Sequence, residues 1–398
     1  MMKRRIIESV TDTCYIWWQE MKQVFKDEGV IIFFIIVPLF YPLLYSWIYN
    51  NEVVRDVPVV IVDDSHSALS RQFVRRCDAS PDVKFLAYAA DMDEAKSLLS
   101  RQVARGIYYI PSDFDASVNR MQPATISVYC DMSLMMTYKA VFQTAQTVTM
   151  QMGADIKAQL GGYYTDRDRE TALQPLAFEE VPLFNPTGGY GSFIIPAVLM
   201  LIIQQTLVLG IGLSAGTSRE RNRSRFLVPI SRHYNGIFRI VIGKALCYLM
   251  LYTVLTAYLV LVVPRLFGFT SIGRIDELIV FLLPYLLDCI FFGMMVSCLV
   301  RYRENVMLLV VFITVPLLFM SGVSWPQTSI PGYWQGISWL FPSTFGIRGF
   351  VRINEMGATL SDVVAEYRVL WIQTLIYFFM ACVVYNYQIR NAQRNAAS

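Results

Sequence analysis

Long apolar runs, separated by polar stretches, set the pattern of this chain. Gly29–Ile48 is uncharged and rich in Ile, Phe and Val. Tyr190–Ser214 is uncharged, Ile240–Val263 carries only Lys244 near its start, and Leu278–Val300 carries one acid, Asp288. Asn305–Val323 and Val369–Gln388 are again uncharged. A helix that crosses a bilayer needs roughly 20 predominantly apolar residues. These runs have almost no polar face, which a surface helix of a soluble protein would keep. The pattern predicts a membrane α-helical fold with six transmembrane helices. Gly29–Ile48 does not read as a cleavable signal peptide, because some 28 residues precede it, it carries bulky aromatics, and no small-residue cleavage site follows.

Between the first and second runs the pattern shortens. Val57–Val62 is a β-branched run ended by Asp63-Asp64, and Val83–Tyr88, Ala104–Ile110 and Thr125–Cys130 also read as strands. Ser67–Cys77 has helical spacing through Leu69, Phe73 and Val74, and Asp91–Arg101 has an acidic start that suits a helix dipole. The order strand–helix–strand–helix–strand predicts a small α/β domain. A long helix over Ser133–Leu160 then leads towards the second span. The predicted division is an interfacial helix over 1–28, a first span over 29–48, an inserted α/β domain over 49–189, a five-helix membrane domain over 190–390 with a polar loop at 215–239, and a tail over 391–398.

Composition agrees. Of 398 residues, 55% are apolar and 16% charged, against about a quarter charged in a soluble domain. An ordinary cytosolic enzyme or a disordered chain is excluded. The net charge of +3 gives no argument for nucleic acid. Placement is more informative: residues 49–185 hold 18 acidic and 13 basic side chains, and the rest of the chain 13 acidic and 21 basic. Lys3, Arg4, Arg5, Lys22 and Lys26 precede the first run, six arginines lie between the second and third, Arg301 and Arg303 between the fourth and fifth, and Arg390 and Arg394 after the sixth. The third-to-fourth loop has only Arg265 and Arg274. By the positive-inside rule both termini are cytoplasmic and residues 49–189 extracytoplasmic. Tyr45, Trp47 and Tyr49, with Trp325, Trp334 and Trp339, suit the outer interface.

Candidate chemistry is sparse. His66 and His233 are the only histidines and fall on opposite sides of this topology, so no His-based zinc site or hydrolytic triad can be built. Asp63-Asp64 reads as a turn. Cys77 and Cys130 share the inserted domain, as a disulfide or as two buried thiols. Gly243-Lys244 is no phosphate-cradling loop, since Ala245 follows and Phe238 stands where the first glycine belongs. Within the spans, Asp288, Gln204 and Gln205 are expensive in lipid. They are pathway candidates, with Asp288 alternatively paired to a cation, hydrogen-bonded to a neighbouring helix, or simply a protonated acid. Pro38, Pro196 and Pro316 should bend their spans.

The stretch after the second span says more. Gly216-Thr217, Arg219-Glu220, Leu227-Val228-Pro229-Ile230-Ser231 and Gly243-Lys244 resemble the permease subunit of ABC-2 type transporters. Ser321-Gly322, Trp325-Pro326 and Phe341-Pro342 look like that family's outer re-entrant region. Val59–Asp63 and Ile110–Phe114 look like its subgroup with a large domain after the first span. The resemblance implies a non-enzymatic export permease in a bacterial inner membrane. It would pair with itself or a paralogue and bind no cofactor, with ATP and Mg on a partner ATPase subunit. Membrane lipids surround it, and a periplasmic adaptor is a further partner the resemblance allows. It also implies an interfacial helix over Ile6–Phe25, whose own pattern of Ile6, Val10, Cys14, Trp17, Trp18 and Met21 suits one membrane-facing side. Coupling to the ATPase would fall to Arg219, Glu220, Arg221, Arg223, Arg225, Pro229 and Ser231. The apolar spans, with no row of charges, point to an amphipathic or hydrophobic cargo such as a lipid or drug.

Two other classes fit less well. A membrane-anchored binding or sensing protein would not need so many spans. An ion-coupled transporter should show repeated halves and several intramembrane charges.

Overall fold

In the computed structural model the described residues are 2–120, 122–160, 183–185, 188–220, 236–299 and 303–397. They form two compact units. One joins Met1–Asn50 to Pro182–Ser398, and the other is Asn51–Val181.

The first unit is helical: α1 (Met2–Val24), α2 (Glu28–Ile48), α7 (Tyr190–Glu220), α8 (Ile237–Phe267), α9 (Ile275–Leu299), α10 (Arg303–Met320), the short α11 (Gly332–Ser338), α12 (Pro342–Met356) and α13 (Val364–Ala397). Five of these, α2, α7, α8, α9 and α13, contain stretches long and apolar enough to cross a membrane. The stretch predicted as a further span over Asn305–Val323 is shorter, an apolar helix over Asn305–Met320. At 1.5 Å per residue that is about 24 Å, less than the roughly 30 Å hydrocarbon core. It stops where Ser321 and Gly322 turn, with Gly322 at φ 91°.

α7 is the central post. Of its apolar stretch 94% is buried, against 28% for α2. That explains its uncharged sequence without a polar stripe: protein surrounds it on all sides. α9 packs chiefly on α13 and α7, and α12 lies flush against α9. A side chain at Gly346 or Gly349 would collide with the rings of Tyr285 and Phe281.

Two prolines reset their helices. The ladder widens to π geometry over Ile32–Ile36, just before Pro38, and over Tyr258–Val262, just before Pro264. Proline has no N–H to give the carbonyl four residues back, so the ladder re-registers there. Tyr258 Oη donates to Leu39 O at 3.0 Å and joins the two irregular segments.

The second unit contains β1 (Val57–Asp63), α3 (Ala68–Asp78), β2 (Val83–Tyr88), α4 (Met92–Ser100), β3 (Gly106–Ile110), α5 (Phe114–Asn119), β4 (Ser127–Cys130) and α6 (Met135–Leu160). The sheet order is β2-β1-β3-β4, with β1 parallel to both neighbours and β4 antiparallel to β3. Both faces of β1 are covered. Val57, Val59 and Ile61 meet Phe73, Tyr108 and Val141, while Val60 and Val62 meet Ala95 and Ile107. Burial on both faces is why β1 reads as an unbroken β-branched run. Asp63 forms a turn: Oδ1 accepts from Ser65 N and His66 N, and Oδ2 from Ser70 Oγ at 2.7 Å. Cys77 and Cys130 are both free thiols of one core, which burial pushes up to about 12 and about 11 respectively.

One titration follows from α12. Glu355 Oε1 has no hydrogen-bond partner among the described residues, and burial pushes the carboxyl up to about 8. Between its ordinary value and 8 the folded protein holds more protons than the unfolded chain, so stability falls as pH rises across that window. Glu355→Gln should therefore raise the unfolding temperature in detergent at about pH 8.5 and leave it unchanged at about pH 4.

Candidate functional site

Two regions bear on transport. The first is a cavity of about 460 Å³ between α7, α9, α10 and α13, floored by the break between α11 and α12. Its wall is almost wholly apolar, with Phe292, Leu309, Ile313 and Met380 among its residues. Gln204, Gln205, Gln373 and Tyr377 also line it.

Three of these four polar side chains bond backbone, and Gln373 Oε1 has no hydrogen-bond partner among the described residues. Gln204 Oε1 accepts from Ser343 N at 2.5 Å, at the start of α12. Gln373 Nε2 donates to Trp339 O at 2.6 Å, and Tyr377 Oη to Leu340 O at 2.5 Å. The break over 339–341 interrupts the helical ladder and leaves groups that side chains must satisfy inside an apolar unit. The glutamines therefore hold the break in place, and the space they border stays greasy. Gln204, at 1% exposed, is structural as well as cavity-lining; Gln205 is half-buried. Gln373 and Tyr377 were not singled out by sequence. A lone amide and a phenol in a mostly apolar span carry no special spacing.

Asp288 lies one turn before Phe292 on α9 and is fully buried. Neither carboxyl oxygen has a hydrogen-bond partner among the described residues. Neither a pairing cation nor a hydrogen bond to a neighbouring helix is found for it among the described residues. Asp288 is also not among the residues that line the cavity.

The second region flanks the polar loop. Arg221, Arg223, Arg225, Pro229 and Ser231 lie outside the described residues. Arg219 and Glu220 end the backbone of α7. The stems on either side are well defined, and α1 packs against α8. Asp12, Ile16, Glu20 and Gln23, at helical spacing, share the face that makes these contacts. Arg239 Nη1 donates to Asp12 Oδ2 at 2.6 Å. Lys244 Nζ donates to Glu20 Oε2 at 2.5 Å, and Tyr248 Oη donates to Glu20 Oε1. Gln23 Nε2 donates to Ser218 Oγ, two residues before α7 ends.

Glu20 is 1% exposed and Lys244 9%. Two charges so far from water persist only because each satisfies the other, with the phenol completing the carboxylate. The backbones can approach because residue 243 is glycine: a Cβ there would sit 2.9 Å from Ile16 Cγ2 and 3.0 Å from Thr13 O. The membrane-facing side expected of this helix is accordingly split. Val10, Cys14 and Trp18 of that side are exposed, as is Ile7 beside them, whereas Met21, assigned to that side, is buried together with Ile16 and Val24. The missed signal was an acid, Glu20, placed between hydrophobes and eight residues after Asp12, opposite a lysine at a span's head.

Comparison with known proteins places these features in a family. A model described as ABC-2 family transporter protein matches residues 29–383. The chain is 20% identical over 341 residues to the probable multidrug ABC transporter permease YbhR of Escherichia coli K12, covering 85% of this chain and 87% of that protein. It is 24% identical over 198 residues to the inner membrane transport permease YadH of E. coli K12, covering 49% and 73%. It is 20% identical over 365 residues to the linearmycin resistance permease protein LnrN of Bacillus subtilis 168, covering 86% and 91%.

Proposed function

Because this chain belongs to the ABC-2 transporter family, we propose that it is the permease subunit of an ATP-driven exporter in a bacterial inner membrane, moving an apolar or amphipathic cargo. The observation that carries the reading of the cargo is the cavity. Its volume suits a drug-sized or acyl-chain ligand, its wall is almost wholly apolar, and Gln204, Gln373 and Tyr377 each make a hydrogen bond to backbone. Relatives whose names speak of multidrug transport and linearmycin resistance are in keeping with this.

In this reading the chain hydrolyses nothing. A separate ABC ATPase, with its ATP and Mg, seats the loop around Arg219–Ser231, and two permeases pair to complete the route. The α10 stretch with the turn after it makes a sixth crossing, and the 51–181 unit stands outside the cytoplasm. A connector between soluble motor and spans must be short, polar and stiff. Four arginines near the loop's start and the fixed φ of Pro229 supply those properties.

The test is Arg223→Glu with Arg225→Glu. Membrane insertion should be unchanged, while ATP hydrolysis in the complex captured through a tag on this chain no longer responds to an added hydrophobic dye. A cargo response equal to that of the unmodified complex would remove the loop from coupling.

A further inference from the structure

We propose that α1 is a positioning strut for the loop, and that Glu20 and Lys244 are its positioning residues. This rests on the loop's coupling role and goes beyond it. The observations concern the two stems of the 221–235 segment. The stem that enters it is tied to α1 by the Gln23–Ser218 hydrogen bond. The stem that leaves it is tied to the same helix by Asp12–Arg239 and by the Glu20–Lys244–Tyr248 cluster. One helix therefore holds both ends of the connector through contacts more than 190 residues apart in sequence.

The tie is stiff for physical reasons. A surface ion pair exchanges its partners for water at little cost. Glu20 at 1% exposed has no water to exchange with, and the close approach at Gly243 leaves α1 no room to roll over α8. A force on the loop is thus delivered to α7 and α8 together, and α1 moves with them. Without α1, the two stems could respond separately and the motion would be lost within the loop. The other side of α1 presents Ile7, Val10 and Trp18, apolar groups suited to slide along a membrane face.

Cys14 supplies the probe, because it is exposed and lies off the contact face of Asp12, Ile16 and Glu20. In a variant whose other cysteines are replaced, an environment-sensitive fluorophore on Cys14 is followed in the captured complex with its ATPase. Adding a non-hydrolysable ATP analogue should change its emission. That change should fall by about tenfold in Glu20→Gln and in Lys244→Met, in the range by which such links modulate coupling, while the ATPase captured per folded permease stays the same. The reversed pair Glu20→Lys with Lys244→Glu should restore at least part of the response. A helix with a merely structural role would show no nucleotide response in the unmodified complex, and that result overturns the proposal. A response equally large in both single variants also overturns it. Failure to capture any ATPase overturns the coupling reading beneath it, and the two failures are thereby distinguished.

Discussion

Lys244→Met should destabilise the membrane unit by about 3–5 kcal/mol, the usual cost of leaving one member of a buried ion pair without its partner. Glu20 would remain at 1% exposure with Tyr248 as its one remaining side-chain donor among the described residues. Glu20→Leu alone should cost a similar amount for the opposite reason, an ammonium group left among apolar neighbours. The double variant should recover most of the loss, because a well-packed hydrophobic pair often matches or exceeds a buried ion pair. Thermal unfolding of the four proteins in one detergent gives the coupling energy as the departure from additivity. A coupling near zero would mean that the two charges are solvated independently and the cluster is not a unit. Tyr248→Phe isolates the third member, with an expected loss of about 1.5–3 kcal/mol for a hydrogen bond to a charged group.

The helices of the membrane unit were readable because an apolar surround, lipid or protein, imposes one rule on composition, and Gly29–Ile48 and Tyr190–Ser214 obey it by carrying no charge. At Asn305–Val323 run length does not show where the helix ends, since the apolar helix covers Asn305–Met320. Hydropathy does not register a turn at Ser321-Gly322 made of small residues that are themselves tolerated in lipid. The β1 run and the Asp63 turn were legible for a similar reason, since a strand covered on both faces has no freedom to alternate.

What stayed hidden was pairing at a distance. Nothing local assigns Asp12 to Arg239 or Glu20 to Lys244; Glu20 stands out only as an acid among hydrophobes and Asp12 as a charge in mid-helix until the fold brings each opposite its partner. The glutamines show the same limit. Gln204 stood out because an amide in a span is costly. Its actual partner, the Ser343 amide, could be found only once the break before α12 was known. The loop itself was legible through order and spacing of short motifs, none of which is a physical signature alone.

Asp288→Leu should raise thermal stability and lower export, and the opposite signs are the point. With both carboxyl oxygens unpartnered among the described residues and the side chain fully buried, the native residue gives up roughly 1–3 kcal/mol of hydrogen bonding that leucine would not need. Insertion scales put an aspartate at a span's centre at about 2.5–3.5 kcal/mol unfavourable. A residue of pure structure would have a partner; one kept at such a cost without a partner fits a group whose partner arrives during the transport cycle. Asp288→Asn separates the two ways it could act. The amide keeps the shape and the hydrogen-bonding capacity and loses the ability to ionise. If Asn exports as well as the native protein while Leu fails, a hydrogen bond is what the cycle uses. If both fail and both are more stable, ionisation is what the cycle uses. Export undiminished in Asp288→Leu would remove this residue from the transport route altogether.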